Sequence, residues 1–179
     1  MALHLLLLLR FLFIFPPAND VVPTSIYDVK VTAVNGSTID FAAFKGKKIL
    51  IVNAPIEADN NPQYAQLEAL YQKYKDKLVI VAFLADDFGT APGSKKGETA
   101  NIEKHYNVSF PMAAKVLVRG DDMHPVFKWL TEKKHNGYMD SEVAWNFQKY
   151  LINEQGKLVA VFEPTVKAYN PALTAAIEK

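Results

Sequence analysis

The chain has 179 residues, half of them hydrophobic, a length that suits one domain with a proper core. Its formal net charge of +1, without a clustered basic stretch, argues against a nucleic-acid-binding surface. The sequence contains no cysteine, which excludes disulfides, thiolate metal sites and thiol redox chemistry.

The chain begins with an apolar leader, residues 1–18, in which His4 and Arg10 interrupt a run that extends to Phe15. Such a run, about 14 residues, is shorter than the roughly 20 that a transmembrane helix needs, and it matches the core of a secretory signal. We expect a signal peptide, with an uncleaved anchor or a misassigned start codon as alternatives. The expected location is periplasmic or extracellular, and the alternative is cytoplasmic. Residues 19–179 are expected to form a single domain.

A hairpin is predicted ahead of the core. Residues 26–33 alternate between apolar and polar side chains, Asn35-Gly36 is a strong hairpin-turn signal, and residues 38–41 form the return strand. After a turn at residues 44–47, the chain enters its most apolar region.

The central prediction is a strand–loop–helix unit. Residues 48–53 form an apolar run typical of a strand buried on both faces. Ala54-Pro55 is expected to end this strand, because proline cannot donate to a ladder. Asn61-Pro62 predicts a capped helix start, and the apolar stripe from Tyr64 to Tyr74 predicts the helix.

A second apolar run, residues 78–83, follows this helix and predicts a parallel strand joined by a right-handed crossover. Functional side chains in such sheets lie beyond the carboxyl ends of the strands, here in residues 54–61. The later predicted elements are a loop at 90–97, a short helix at 102–106, a helix beginning after His124, a turn at 153–156, a strand at 158–162 and a helix at 171–177. His124 is interpreted as a structural residue at a helix start, and Trp129 as a core or rim aromatic.

Three segments resemble the glutathione peroxidase family: residues 46–74, residues 110–130 and the Trp-Asn-Phe motif at residues 145–147. The resemblance runs from about residue 25 to residue 171. It implies an α/β, thioredoxin-like fold of glutathione peroxidase type, with a central mixed sheet, flanking helices and an added N-terminal β-hairpin. It also implies the reduction of hydroperoxides by a cysteine or selenocysteine.

The resemblance further implies four catalytic positions, which are Ala58, Asp87, Trp145 and Asn146. In the family pattern, the nucleophile follows the asparagine at the strand end by five residues and precedes a Gln-Tyr pair by five. In this chain the asparagine is Asn53 and the pair begins at Gln63, so the nucleophile position is Ala58. A methyl group has no lone pair and no ionisable proton, so covalent chemistry cannot start there. The family glutamine falls on Asp87, and the tryptophan and asparagine are retained. No intact catalytic set remains.

Four carboxylates follow the two central strands: Glu57, Asp59, Asp86 and Asp87. Oxygen ligands suit calcium or magnesium, so these residues are candidate ligands of a hard cation. The alternative is that Asp59 and Asp86 are loop and helix-cap residues on a solvent-exposed surface. For Trp145 and Asn146 the alternative is retention for packing alone.

These observations lead to three hypotheses. The first is a glutathione peroxidase-like protein that has lost peroxidase chemistry and acts by binding an unidentified protein or small ligand. The second is a metal-assisted enzyme that uses the acidic loops. The third, by family similarity, is an oxidoreductase of the oxidative stress response. No cofactor, no nucleic-acid partner and no membrane span beyond the leader are expected.

Overall fold

The computed structural model describes residues 21–56, 62–89 and 107–179. Several predicted features lie outside these residues: the leader at 1–18, the nucleophile position Ala58, the candidate ligands Glu57 and Asp59, the Asn61 cap, the loop at 90–97 and the helix at 102–106. In the described ranges, no helix combines the length and the apolar character that a membrane span needs.

A two-stranded hairpin, β1 (Lys30–Thr32) and β2 (Thr38–Asp40), precedes the main sheet. The main sheet contains β3 (Lys48–Pro55), β4 (Leu78–Ala85), β5 (Met112–Ala113), β6 (Lys149–Ile152) and β7 (Leu158–Phe162), in the order β5-β4-β3-β6-β7. Because β3 pairs in parallel with β4 and antiparallel with β6, the sheet is mixed. The predicted fold class, the parallel crossover and the N-terminal hairpin are confirmed.

Helices cover both faces of the main sheet: α1 (Pro62–Tyr74), α2 (Pro125–Thr131), α3 (Lys133–Asn136) and α4 (Pro171–Glu178). Successive β3 residues alternate between two cores, so that Ile49 packs in the cluster with α2 while Leu50 packs in the cluster with α1 and α4. This two-sided covering explains why every residue of β3 and β4 is buried.

The predicted strand over residues 26–33 is wrong at its start. Ile26–Asp28 is a 3-10 helix, because the Ser25 side chain accepts the Tyr27 N–H at 3.2 Å and the Asp28 carboxylate accepts the Ser25 N–H at 3.0 Å. This reciprocal capping satisfies backbone donors locally, so the segment turns before it can pair. The strand itself is only Lys30–Thr32.

The predicted end of the central strand is also wrong, because β3 continues through Ala54 and Pro55. Pro55 lies opposite Ala85 in the parallel register, and its carbonyl accepts a hydrogen bond from the Tyr64 hydroxyl at 2.6 Å. A proline at the last position of a strand loses no donor that the remaining ladder requires. The strand therefore ends after Pro55.

Candidate functional site

The candidate site lies beyond the carboxyl end of β3, where residues from three stretches of the chain meet. Asn53 bonds to the loop that carries Trp145, and the ring of Trp145 packs on Phe88, with 5.1 Å between the ring centroids. Phe88 follows Asp87, so three of the four family positions, Asp87, Trp145 and Asn146, belong to this one region. The fourth, Ala58, lies outside the described residues.

The buried amide of Asn53 holds the loop that contains Trp145 and Asn146. Its Nδ2 donates to the Trp145 carbonyl at 3.1 Å, and its Oδ1 accepts the Gln148 N–H at 3.0 Å. The Asn53 backbone carbonyl also accepts the Phe147 N–H at 2.7 Å. We call these three hydrogen bonds the Asn53 clamp. They join residues far apart in sequence, so the loop position is a tertiary feature.

The loop needs this support because its backbone is strained at Phe147, which has φ of +67°. A non-glycine residue rarely adopts this left-handed conformation, which costs about 1–2 kcal/mol. Three contacts offset the strain. The Phe147 ring packs edge-on against Tyr64 with centroids 5.3 Å apart, and the Gln148 side chain accepts the Ala144 N–H and donates to the Glu142 carbonyl.

A buried amine lies behind the loop and was not predicted from the sequence. Lys149 is fully buried in β6, and its Nζ donates to the Phe147 carbonyl at 2.6 Å and to Gln63 Oε1 at 3.2 Å. Burial, with a smaller contribution from the nearby charge of Lys167, lowers the pKa of Lys149 to about 8. Both the charged and the neutral amine donate hydrogen bonds, so this contact to the loop persists on either side of that pKa.

Asp86 and Asp87, the two candidate ligands that the structure describes, are engaged by protein partners. Asp86 forms an ion pair with Lys115, and Asp87 Oδ1 accepts the Val118 N–H at 3.2 Å. In the described ranges, no group of three or more His, Asp or Glu side chains is arranged to hold a metal ion. This statement does not extend to Glu57 and Asp59.

Two oxygen atoms of the site are buried without a hydrogen-bond partner in the described part of the chain, Asp87 Oδ2 and Asn146 Oδ1. Each unpaired buried acceptor costs about 1–3 kcal/mol. A glutamine at position 87 would offer an amide donor, whereas aspartate offers only acceptors when ionised. The replacement of glutamine by aspartate therefore changes the hydrogen-bonding character of this position.

The exposed part of the site is aromatic. The Trp145 side chain is 57% exposed, which is not the burial of a core aromatic. Its ring rests on Phe88, and the Arg119 guanidinium lies 4.7 Å from the centroid of the Phe88 ring. We call Phe88, Arg119 and Trp145 the Trp145 platform. Trp129, by contrast, is buried as predicted.

A separate cleft of about 760 Å³ lies between the N-terminal hairpin and the segment from Ala114 to Lys128, and it is not lined by Asp87, Trp145 or Asn146, the three family positions that the structure describes. His124 lines this cleft, and burial lowers the pKa of its imidazole. Its Nδ1 accepts the Val126 N–H at 3.3 Å, which makes His124 the N-terminal cap of α2. The prediction that His124 is a structural residue at a helix start is confirmed.

The fold and the site together define a thioredoxin-like protein with a Trp-Asn-Phe loop at the carboxyl end of its central strand and no thiol in its sequence. The sequence model described as glutathione peroxidase matches residues 26–131 of the chain. This chain therefore belongs to the glutathione peroxidase family. Trp145 and Asn146 lie beyond the matched residues, and the Asn53 clamp joins them to the matched part.

Curated relatives and solved structures agree with this assignment. The glutathione peroxidase-like peroxiredoxin gpx1 of Schizosaccharomyces pombe is 40% identical over 136 residues, which cover 74% of this chain and 85% of the relative. The glutathione peroxidase homolog BsaA of Staphylococcus aureus strain MW2 is 38% identical over 145 residues, covering 80% of this chain and 91% of the relative. The apo crystal structure of Trgpx superposes with a TM-score of 0.64 at 30% identity, covering 87% of this chain and 96% of that one.

The Asn53 clamp predicts the effect of Asn53→Ala. The substitution leaves the Gln148 N–H and the Trp145 carbonyl without partners, and we expect the free energy of unfolding to fall by about 3 kcal/mol. Chemical denaturation measures this loss. Asn35→Ala is the matched control, because Asn35 makes two hydrogen bonds in an exposed turn, to Ser37 N and Oγ, and its loss should cost about 1 kcal/mol or less. Equal losses in the two variants would show that the clamp does not support the loop.

Proposed function

We propose that this chain is a member of the glutathione peroxidase family that has lost thiol peroxidase chemistry and acts as a binding protein. The observation that carries the proposal is the absence of cysteine from all 179 residues, with alanine at the nucleophile position. The family reaction as we infer it needs a thiol or selenol that attacks the peroxide. Neither Asp87 nor Trp145 offers a side chain that replaces this nucleophile.

The retained surface supports a binding role. Trp145 and Arg119 are residue types enriched at the energetic centres of protein interfaces, and the Trp145 side chain stands largely exposed. The strained loop beneath it is held by the Asn53 clamp and by Lys149. A rigid support for an exposed indole lowers the entropy cost of binding. We therefore infer that the Trp145 platform is the contact surface for a protein partner.

The first prediction concerns peroxide turnover. The purified wild-type protein should show no thiol-dependent reduction of hydrogen peroxide or of a lipid hydroperoxide, because removing a covalent nucleophile reduces catalysis by up to about a millionfold. A coupled assay that follows thiol consumption measures this, on a preparation shown to be free of contaminating peroxidase. Steady turnover that co-purifies with the chain and resembles that of a thiol peroxidase would contradict the proposal.

The second prediction concerns restoration of the nucleophile. Ala58→Cys introduces a thiol whose reference pKa is about 8.5, so only a few per cent is thiolate at pH 7. If Asp87 faces this thiol as the family register implies, its negative charge raises the thiol pKa further. Adding Asp87→Gln removes the charge and supplies an amide donor. We expect at least about a tenfold faster reaction with hydrogen peroxide in the double variant than in Ala58→Cys alone.

The measurement is the second-order rate of thiol oxidation in each variant. Ala58→Cys combined with Asp121→Asn is the matched control, since it removes one exposed carboxylate outside the site. Acceleration by Asp87→Gln and not by Asp121→Asn supports the assignment of Asp87 to the family site. Identical rates in all three variants would mean that Asp87 does not act on residue 58.

The third prediction tests binding. Immobilised wild-type protein should retain a partner from an extract of its own cells, and Trp145→Ala should reduce the recovery at least about tenfold, as expected for an interface hot spot. Tyr169→Ala is the matched control, because Tyr169 is an aromatic residue with 69% exposure that is not part of the Trp145 platform. Partners recovered equally by all three proteins would rule out the platform as the binding surface.

A further inference from the structure

The imidazole of His124 borders two cavities of the protein. It lines the cleft of about 760 Å³ beside the hairpin, and it lines a smaller pocket beside residues 21–30. The ring also packs on Phe83 of β4, with 6.2 Å between the ring centroids. None of the residues around these cavities belongs to the Trp145 platform, so the inference drawn from them does not depend on the proposed function.

The side chain of His124 is held less firmly than its backbone. The His124 N–H donates to the Leu117 carbonyl at 2.9 Å, and its own carbonyl accepts the Phe127 N–H at 2.8 Å. The ring makes one hydrogen bond to the described part of the chain, in which Nδ1 accepts the Val126 N–H at 3.3 Å. A change at the ring therefore moves the side chain and leaves the backbone at the start of α2 in place.

This hydrogen bond requires a neutral imidazole. Nδ1 accepts the Val126 N–H only while it carries no proton, so the single proton of the neutral ring is on Nε2. Protonation makes Nδ1 a donor that faces another donor. Burial opposes the charge as well, and it lowers the pKa of His124. The packed position of the ring thus favours the neutral form.

Charged side chains line the two cavities from every side of the ring except that of Phe83. They are Asp28, Lys30, Lys115, Asp121, Asp122 and Lys128. Three of them are already engaged by partners outside the cavities. Lys30 and Lys115 form ion pairs with Asp40 and Asp86, and the Asp28 carboxylate accepts the Ser25 N–H and the Thr24 hydroxyl.

The other three charges are unbalanced. Asp121, Asp122 and Lys128 form no ion pair with any residue in the described ranges, and the Lys128 amine donates to the backbone carbonyl of Asp121 at 3.0 Å. Two carboxylates against one amine leave the cleft with an excess of negative charge. An imidazolium that enters the cleft is attracted to these carboxylates.

We propose that His124 is an acid-sensitive latch between α2 and the cleft. At neutral pH the uncharged ring accepts the Val126 N–H and packs on Phe83. In acid the imidazolium leaves Val126 and turns into the cleft towards Asp121 and Asp122. Acid therefore changes both the free volume and the charge of the cleft.

The direction of the pH dependence follows from the proton affinities of the two positions. The packed ring binds a proton more weakly than histidine in water, because burial lowers its pKa. The turned ring, in water and near carboxylates, has a pKa of about 6.5 or higher. The packed position is therefore stable above about pH 6.5 and is lost as the pH falls through that value, by up to about tenfold in the ratio of the two populations per pH unit.

NMR spectroscopy of the full chain tests the latch. At about pH 7.5 the imidazole nitrogen shifts should show a proton on Nε2. Between about pH 7.5 and pH 5, a range that spans the ordinary histidine pKa, the Val126 amide signal should move with the same midpoint as His124. The NOEs between the rings of His124 and Phe83 should weaken over the same range. Circular dichroism verifies that the protein is folded at each pH.

Two variants separate the latch from other titrating groups. In His124→Asn the amide oxygen still caps α2 but does not titrate, so the Val126 amide signal should stay in place over this pH range. His135→Asn is the matched control, since His135 does not line the cleft, and it should leave the wild-type response of Val126 intact.

The carboxylates of the cleft are tested by a double substitution. Asp121→Asn with Asp122→Asn removes the attraction for the imidazolium and should lower the midpoint of the His124 titration by about half a pH unit or more. Asp76→Asn with Glu142→Gln is the matched control, because it removes two exposed carboxylates that do not line the cleft.

Any of three results would overturn the proposal. The first is a proton on Nδ1 of His124 at about pH 7.5, the pH at which the neutral ring should prevail. The second is a Val126 amide signal, or a set of NOEs to Phe83, that does not follow the titration of His124. The third is a midpoint that the two cleft substitutions lower no more than the control pair does.

Discussion

The hydrogen bonds of Asn53 are the interactions on which the candidate site depends. A single buried amide at the end of the central strand fixes a loop that lies 92 residues further along the chain, and it does so through one donor and one acceptor. The strained backbone at Phe147 is maintained by hydrogen bonds to the loop from the Asn53 amide, the Gln148 side chain and the Lys149 amine. The position of Trp145 on the surface follows from these contacts.

The residues that support the loop differ from those that the family chemistry requires, as we inferred it. The loop therefore keeps its position in a chain that has no cysteine nucleophile. The Asn53 clamp, the Tyr64–Phe147 ring contact and the Lys149 amine stabilise the fold whether or not residue 58 carries a thiol. Under the proposed function, alanine at the nucleophile position removes a reactive thiol, and none of the contacts named above requires that thiol. Asp87 Oδ2 and Asn146 Oδ1 are buried without a hydrogen-bond partner among the described residues, so the polar network of the site is only partly satisfied.

Most of the architecture could be predicted from the sequence, because apolar runs and turn residues specify it locally. The strands at residues 48 and 78, the crossover helix and the hairpin that turns at Asn153 follow from such patterns. The errors concern element boundaries. Side-chain capping by Ser25 and Asp28 overrides the alternating pattern at the hairpin, and β3 includes Pro55 because the strand pairing there does not require an N–H donor. Lys149 was missed because a lysine within a strand normally indicates exposure, and its burial depends on the tertiary structure.

The order of strands has a consequence for how this chain reaches its folded state. Strand β6, from the last third of the chain, lies between β3 and β7 in the interior of the sheet. While the chain is being synthesised, β3 can pair with β4 but keeps its other edge open until β6 has emerged. Such long-range pairing slows folding and prolongs the exposure of an apolar edge to aggregation and to chaperones. A chain cut short before residue 149 would retain that open edge permanently.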